Sequence, residues 1–218
     1  MHWGMVIDLK RCTGCYACVL ACKAEHSTPS GIHFRQVHFQ EVGEYPAARR
    51  VHVPVQCNHC REPPCVPVCP TGATYKRADG LVLVDEAVCI GCAYCMEACP
   101  YEHRHFVETN LAHFPSGPTP AEARGGEAGH DWRAKRNTVV KCTFCEHRLK
   151  RAAETGKTPG VDREATPACV NTCPAFAMHF GDLDDPESMV SRLIAEREGF
   201  ALLPEAGTRP SVYYLPDD

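Results

Sequence analysis

Apolar residues along the chain occur in short runs that are interrupted by proline and glycine. Residues 6–8 (VID) and 83–85 (LVD) each have the composition of a short strand that leads into a cysteine-rich segment. Residues 73–76 and 81–84 flank Ala-Asp-Gly at 78–80, a combination typical of a β-hairpin. The eighteen prolines and sixteen glycines favour loops and short elements over long helices.

The C-terminal region has the pattern of an amphipathic helix followed by a strand. Residues 185–188 (DPES) predict a helix start with an acidic first turn and a proline near its first position. Apolar residues then recur at helical spacing and stop at Gly199; they are Met189, Val190, Leu193 and Ile194. Residues 211–215 (SVYYL) predict a terminal edge strand.

A long polar stretch interrupts this pattern in the middle of the chain. Residues 107–137 are rich in proline and glycine and predict an inserted surface loop. Loops this long are usually functional or disordered, so a partner-docking loop and a solvated insertion both remain open. A second, shorter loop is predicted at 155–167.

Sixteen cysteines divide into four groups of four, and two groups repeat the spacing C-x2-C-x2-C-x3-C. In both repeats a short apolar strand precedes the run, and a glycine permits a tight turn before the second cysteine. A helical turn is expected after the last cysteine of each repeat. The groups are Cys12, Cys15, Cys18 and Cys22; Cys57, Cys60, Cys65 and Cys69; Cys89, Cys92, Cys95 and Cys99; and Cys142, Cys145, Cys169 and Cys173.

The repeated spacing is that of bacterial ferredoxins, in which the fourth cysteine of a run serves a neighbouring cluster. Sixteen thiolates at four per cluster account for four [4Fe-4S] clusters with no cysteine left over. The hydrophobic share of the chain is 44% with cysteine included, so the remaining apolar residues are few for an ordinary core. We therefore expect the clusters to act as the core, with folding coupled to their insertion.

The predicted hairpin would bring Cys69 back toward Cys89, which indicates that neighbouring groups exchange their fourth cysteines. The spacing supports an exchange of fourth cysteines between groups, but it does not determine which groups exchange them. The predicted ligand sets are Cys12, Cys15, Cys18 and Cys173 for cluster 1; Cys22, Cys142, Cys145 and Cys169 for cluster 2; Cys57, Cys60, Cys65 and Cys99 for cluster 3; and Cys69, Cys89, Cys92 and Cys95 for cluster 4.

Two other uses of cysteine compete with this interpretation. Repeated C-x-x-C spacing without a secretory signal disfavours a disulfide framework. A cysteine-stapled, zinc-binding structural module is an alternative, because the last group has the spacing of a zinc ribbon and His59 lies inside the second group. Four such groups in one chain, two of them with ferredoxin spacing, favour iron-sulfur clusters over zinc.

Charge and motif content argue against several classes of function. A formal charge of -4 with scattered Arg and Lys argues against nucleic acid as a partner. The first residues lack the pattern of a signal peptide, the twin arginine at 49–50 is internal, and no apolar run approaches the roughly 20 residues of a membrane span. No G-x-S-x-G, G-x-G-x-x-G, P-loop or H-E-x-x-H motif occurs, so we expect no active site.

Cations adjoin the ligand cysteines at several positions; they are Lys10, Arg11, Arg61 and Lys141. A nearby positive charge favours the more negative, reduced cluster, so our hypothesis is that these residues raise reduction potentials. Ordinary solvated cations are the alternative. His103 and His105 follow the third group, and we expect solvated or hydrogen-bonded side chains there rather than a functional role.

Four segments complete a recognisable family pattern; they are residues 3–8 (WGMVID), 57–73 with the pattern C-N-H-C-x4-C-x3-C-P-T-G-A, 141–145 (KCTFC) and 181–186 (GDLDDP). Over nearly its whole length the chain resembles the four-cluster, ferredoxin-like beta subunits of the dimethyl sulfoxide reductase family of molybdopterin oxidoreductases. Within that family it looks most like the subunits of arsenate respiratory, polysulfide or thiosulfate, and phenylacetyl-CoA acceptor oxidoreductases. Some relatives carry tryptophan at one ligand position, whereas all sixteen positions here are cysteine.

The resemblance implies an α+β fold of tandem ferredoxin-like units binding four cubane clusters, with loop insertions and short β-hairpins. Residues 1–56 and 138–218 would form the first unit and residues 57–106 the second, with residues 107–137 inserted as a surface loop.

The resemblance also implies an electron-transfer subunit without catalysis of its own. It would relay electrons between a catalytic molybdopterin subunit and an integral membrane anchor subunit that handles quinone. A ferredoxin-type subunit of a hydrogenase or formate dehydrogenase complex is the alternative. Membrane association would come through partners, and the periplasmic face, reached by co-export with a partner, is favoured over the cytoplasmic face.

Overall fold

The computed structural model describes residues 1–108, 117, 120, 123, 125–129 and 137–216. Most of the loop predicted at 107–137 therefore lies outside the described residues. The strands are β1 (Trp3–Asp8), β2 (Arg35–Val42), β3 (Arg49–Gln56), β4 (Thr74–Lys76), β5 (Val82–Val84), β6 (His105–Phe106), β7 (Val139–Val140), β8 (Met178–Asp182) and β9 (Val212–Leu215); the helices are α1 (Ala17–His26), α2 (Tyr94–Glu97), α3 (Glu146–Thr155), α4 (Ala168–Asn171) and α5 (Met189–Glu196), with a 3-10 turn at Pro204–Ala206. None of the helices in the described ranges is long and apolar enough to cross a membrane.

Strand β1 lies at the centre of a three-stranded sheet of order β8-β1-β9. It runs antiparallel to β8, with Met5 opposite Phe180, and parallel to β9, with Met5 opposite Val212. Its apolar residues Met5, Val6 and Ile7 are buried on both faces of the sheet. The predicted terminal edge strand is thereby confirmed, and the sheet joins the beginning of the chain to its C-terminal region.

Three two-stranded hairpin-like ladders surround this sheet. The predicted hairpin is confirmed as β4 and β5, with Thr74 opposite Val84. Strands β2 and β3 form a longer ladder, from Arg35 opposite Gln56 to Val42 opposite Arg49, which was not predicted from the sequence. Strands β6 and β7 pair His105 with Val140.

The helices near the cysteine runs begin earlier than predicted. Helix α1 contains Cys18 and Cys22, and α2 contains Cys95. Each helix therefore begins before the last cysteine of its run. The reason is local: Tyr16 and Ala93 adopt left-handed φ angles of 60° and 62° and turn the chain into the helix after the second cysteine.

The C-terminal helix begins later than predicted. It starts at Met189, because the Ser188 hydroxyl caps it by accepting a hydrogen bond from the Ser191 amide at 3.2 Å. Asp185 lies before the helix and accepts a hydrogen bond from the Glu187 amide at 2.9 Å in a turn of its own. The acidic residues therefore lie in the approach to the helix rather than in its first turn.

The main core combines aliphatic and aromatic residues with cysteine. Met5, Ile7, Phe144 and Phe180 pack in one cluster with residues of β2, β5 and β9. Cys18 and Cys169 belong to the same cluster. Leu81 and Leu83 of the β4–β5 hairpin also pack there, so the two halves of the chain share this core.

Candidate iron-sulfur centres

One cavity is lined by Cys12, Cys15, Cys18 and Cys173. The first three lie just after β1 and at the start of α1, and Cys173 lies just before β8. Because β1 and β8 are antiparallel, the end of one strand lies beside the start of the other. The central sheet thus brings the first cysteine run to the last cysteine of the chain.

A second cavity is lined by Cys69, Cys89, Cys92 and Cys95. Cys69 lies just before β4 and Cys89 just after β5, so the hairpin joins them in the same way that β1 and β8 join the first set. Two unrelated pairs of strands therefore create the same arrangement of three cysteines from one run and a fourth from another.

The other eight cysteines form two further neighbourhoods. The thiol of Cys60 lies in the electrostatic field of Cys57, Cys65 and Cys99. The thiol of Cys22 lies in the field of Cys142, Cys169 and Cys145. Each of the four predicted ligand sets is therefore a set of neighbours in the fold.

Burial makes seven of the sixteen thiols weaker acids; they are Cys12, Cys18, Cys22, Cys60, Cys65, Cys142 and Cys145. It raises the pKa of Cys18 to about 11 and that of Cys60 to about 12, and it holds the pKa of Cys22 and of Cys145 well above the ordinary value. A buried thiolate is stable only beside positive charge, which bound iron supplies. The donor set thus suits a cationic inorganic group, whose insertion releases protons.

Cys69 differs from these thiols. Burial acts to raise its pKa, but hydrogen bonds to the sulfur, the first of them from the Thr74 amide, lower it to about 7. The Thr74 amide nitrogen lies 3.3 Å from the Cys69 sulfur. This thiol is therefore substantially ionised at neutral pH before any metal binds.

Backbone amides point at the sulfur atoms of other ligands as well. The donors are Ala177 to Cys173 at 3.3 Å, Phe144 to Cys142 at 3.4 Å and Val139 to Cys89 at 3.5 Å. Hydrogen bonds to ligand sulfur are among the features by which a protein sets the potential of an iron-sulfur cluster.

In the described part of the chain, no three His, Cys, Asp or Glu side chains form a group that could hold a single ion. Zinc binds thiolates at about 2.3 Å, which would bring neighbouring sulfurs to within about 4 Å of each other. Each predicted set supplies four thiols, which is the number of ligands of one cubane cluster.

The histidines near the cysteines have structural contacts. His59 is fully buried, stacks on Phe144 with ring centroids 4.0 Å apart, and accepts a hydrogen bond from the Val82 amide at 3.0 Å. His103 is buried rather than solvated, which corrects our expectation, and burial lowers its pKa to about 4. Both side chains are neutral at physiological pH, since burial also holds the pKa of His59 well below its usual value.

The four cations predicted to influence the clusters differ in how exposed they are. Arg11 is exposed and donates to the carbonyl oxygen of Ala175, and Arg61 forms an ion pair with Asp184 at 3.0 Å. Lys10 is exposed too. Lys141 is buried, with its amine donating to the carbonyl oxygen of Cys142 at 2.7 Å.

The sequence did not predict that two arginines are buried near sulfur atoms. Arg104 donates from Nη2 to the sulfur of Cys65 at 3.0 Å, although 39 positions separate the two residues. Arg35 donates to the sulfur of Met5 at 2.9 Å. Neither arginine adjoins a cysteine in sequence, so the chain offers no local signal of its position.

Comparison with known proteins supports the same assignment. A family model described as a 4Fe-4S dicluster domain matches residues 49–113, and one described as a 4Fe-4S binding domain matches residues 3–24. [4Fe-4S] clusters are therefore confirmed as the cofactors, and the zinc alternative is set aside.

Several curated proteins match the chain almost from end to end. The arsenate respiratory reductase iron-sulfur subunit ArrB of Shewanella sp. (strain ANA-3) is 42% identical, over 99% of this chain and 96% of its own length. The matching subunit of the sulfite dehydrogenase of Allochromatium vinosum is 41% identical, over 97% of this chain and 82% of its own length. The matching subunit of the tetrathionate reductase of Salmonella typhimurium is 37% identical, over 98% of this chain and 72% of its own length. This chain belongs to the iron-sulfur electron-transfer subunits of the dimethyl sulfoxide reductase family.

Proposed function

We propose that this protein relays electrons through four [4Fe-4S] clusters between a catalytic molybdopterin subunit and a membrane anchor subunit that reacts with quinone. The observation that carries the proposal is that all sixteen cysteines fall into four neighbouring sets of four. Bound clusters supply one-electron transfer. The chain itself would hold the thiolates and donate hydrogen bonds to several of them, and it buries seven of the sixteen cysteines.

The proposed ligands follow these neighbourhoods. Set 1 consists of Cys12, Cys15, Cys18 and Cys173, set 2 of Cys22, Cys142, Cys145 and Cys169, set 3 of Cys57, Cys60, Cys65 and Cys99, and set 4 of Cys69, Cys89, Cys92 and Cys95. Sets 1 and 2 would belong to a unit built from residues 1–56 and 138–218. Sets 3 and 4 would belong to a unit of residues 57–106.

Electrostatic interactions between cysteines of different sets support a linear order. Cys18 of set 1 lies in the field of Cys169 of set 2, and Cys142 of set 2 lies in the field of Cys57 of set 3. Arg104 lies in the field of both set 3 and set 4, through Cys65 and Cys95. These relations support the order 1-2-3-4, in which sets 1 and 4 would lie at the ends.

The two end sets are the ones that carry exposed cysteines. Cys15 of set 1 and Cys92 of set 4 are exposed, whereas sets 2 and 3 have only buried or half-buried cysteines. Exposed apolar side chains adjoin both, with Tyr16 beside Cys15 and Ile90 near Cys92. Two open ends suit a relay with two partners, and apolar surroundings suit protein docking.

Catalysis would then belong to a partner, and so would attachment to the membrane. The protein would be held at the membrane by the anchor subunit. The periplasmic face is proposed as its location, reached by export together with a partner.

Iron analysis and ligand exchange test the proposal on the intact complex. The complex, purified anaerobically from its native host, should contain molybdopterin, a membrane subunit and about sixteen irons per copy of this chain in four cubanes. Cys173→Ser and Cys12→Ser should alter the same electron paramagnetic resonance (EPR) signal, and Cys22→Ser a different one. Far fewer irons, or a Cys173 variant that instead alters the signal changed by Cys22→Ser, would contradict the proposed ligands.

A further inference from the structure

Three cations with almost fully buried side chains lie among the cysteine sets in the described part of the chain. Arg35, Lys141 and Arg104 are 1%, 3% and 4% exposed. Within the described residues none of the three forms an ion pair with Asp or Glu, although Arg61 and Arg77 do so at the surface. A buried cation is costly unless opposite charge compensates it, so the compensation must come from elsewhere.

Arg35 lies near both set 1 and set 2, because Met5, which it contacts, packs in one core cluster with Cys18 and Cys169. Burial acts to lower its pKa, but thiolates from both sets, Cys169 and Cys18 first among them, more than offset burial and leave it raised. Its Nη2 contacts the sulfur of Met5, and its Nη1 has no hydrogen-bond partner among the described residues. Apart from the neutral Met5 sulfur, the negative charge that compensates this guanidinium would come from the cysteines of sets 1 and 2 once bound iron ionises them.

Arg104 has the same relation to sets 3 and 4. Its strongest electrostatic neighbours are Cys65, Cys57 and Cys95. Its two terminal nitrogens contact the Thr74 hydroxyl at 3.2 Å and the Cys65 sulfur at 3.0 Å. Cys65 and Cys57 belong to set 3, and Cys95 belongs to set 4.

Lys141 lies near cysteines of both set 2 and set 3. It immediately precedes Cys142 of set 2, and its charge opposes the rise that burial causes in the pKa of that thiol. It acts in the same direction on Cys65 of set 3. Strands β6 and β7 pair His105 with Val140. Arg104 and Lys141 are the next residues of the two chain segments beyond this pair, so the ladder keeps these two cations adjacent.

We propose that Arg35, Lys141 and Arg104 alternate with the four clusters, each lying between two consecutive clusters and raising the reduction potential of both. The proposal rests on the ligand sets proposed above. Reduction adds one negative charge to a cluster, and a buried cation attracts that charge with little screening by solvent. A cation placed between two clusters also weakens the repulsion between electrons that occupy both, which favours conduction along the whole series.

The test compares neutral and charged replacements at the same position. Arg35→Gln and Arg35→Lys are prepared in the intact complex, together with Arg104→Gln, Arg104→Lys, Lys141→Gln and Lys141→Arg. Iron content is measured first, and the midpoint of each cluster is then measured by EPR-monitored redox titration, with signals assigned by the cysteine variants. Arg50→Gln is the control, because Arg50 is an exposed arginine of the β2–β3 hairpin that pairs with Glu41 at 3.0 Å.

Arg35→Gln should lower the midpoints of clusters 1 and 2 and leave clusters 3 and 4 unchanged. We expect at least a tenfold change in the ratio of reduced to oxidised cluster at fixed potential, which is about 59 mV for one electron. Arg104→Gln should do the same to clusters 3 and 4, and Lys141→Gln to clusters 2 and 3. The charge-retaining variants and Arg50→Gln should stay near the wild-type values.

Each outcome decides the matter. Unchanged midpoints in the neutral variants at full iron content, or an equal shift of all four clusters, would overturn the proposal. If a neutral variant fails to assemble while its charged counterpart assembles, the charge itself is required and the proposal stands; if both fail, the position acts through shape and the proposal is overturned. A wild-type iron count far from sixteen would instead overturn the proposed function, before any cation variant is measured.

Discussion

The carboxylate of Glu25 accepts two hydrogen bonds from the guanidinium of Arg148, at 2.5 and 2.7 Å. His147 lies 2.6 Å from the same carboxylate. Glu25 is in α1 and the other two residues are in α3, so this contact joins the helix that carries Cys18 and Cys22 to the helix that follows Cys145. Charged, bidentate contacts of this kind are among the stronger hydrogen bonds in proteins.

Glu25 should make the protein less stable in acid. Burial acts to raise its pKa, but hydrogen bonds from His147 and Arg148 lower it to about 2, below the ordinary value of 4.5. Because the folded pKa is the lower one, the contribution of Glu25 is complete above pH 4.5 and is lost as the pH falls toward 2. Glu25→Gln should therefore cost about 2 kcal/mol at pH 7, and less as the pH falls below 4.5.

The measurement is the apparent thermal midpoint at a fixed scan rate under anaerobic conditions. For a chain of this size the Gln variant should unfold roughly 4–8 °C lower at pH 7, and the difference should narrow between pH 5 and pH 3.5. Glu41→Gln removes an exposed ion pair with Arg50 and should have little effect at any pH. A difference between wild type and Glu25→Gln that does not change with pH would exclude this explanation.

Phe144 should be a major determinant of stability. It is 1% exposed, stacks on His59 and meets Phe180 edge to face with ring centroids 5.3 Å apart. Phe144→Ala should cost about 3–5 kcal/mol, because it leaves a cavity beside Cys142 and Cys145. The matched control is Phe176→Ala, since Phe176 is 69% exposed and its loss should cost less than about 0.5 kcal/mol. Equal thermal midpoints for the two variants would contradict the assigned role of Phe144.

Gly91 should be essential for filling cysteine set 4. Its φ is +70°, and an added Cβ would lie 2.1 Å from the carbonyl oxygen of Asn137. Gly91→Ala must therefore displace the backbone between Cys89 and Cys92, and we expect it to lose about four irons per chain. Gly72→Ala is the control, because Gly72 has the same φ of +70° but no atom within 4 Å of the added Cβ. The Gly72 variant should lose only about 1 kcal/mol of folding stability through backbone strain and should keep its iron. Similar iron loss in both variants would show that the positive φ alone, and not the contact with Asn137, causes the effect.

Ile90 should contribute to subunit contact without affecting the clusters. It is 66% exposed beside the exposed Cys92, at one end of the proposed relay. Ile90→Glu should release one partner subunit during purification while the iron content and thermal midpoint of this chain remain unchanged. Val161→Glu changes a residue that is 81% exposed in the loop after α3, and it should leave the complex intact. An intact complex from the Ile90 variant would remove this surface from the proposed interface.

The sequence alone determined the features that depend on local spacing. Cysteines three positions apart can converge on one inorganic group without help from the rest of the fold, so the run spacing was sufficient to predict [4Fe-4S] clusters, which the family matches confirm. The β4–β5 hairpin and the terminal strand β9 were also predictable, because a turn signal and a β-rich apolar run are local properties.

Only the tertiary structure decided which distant residues meet. The position of β1 between β8 and β9 brings Cys173 to the first run, and no short-range pattern specifies that parallel and antiparallel pairing. Arg35 and Arg104 look like ordinary surface arginines in the sequence, yet packing places both among thiols. The packing of the elements decides which residues distant in sequence meet and which become buried, so the electrostatic surroundings of the cofactor could not be predicted. The spacing of the cysteines is a property of the sequence itself, so the cofactor could be predicted.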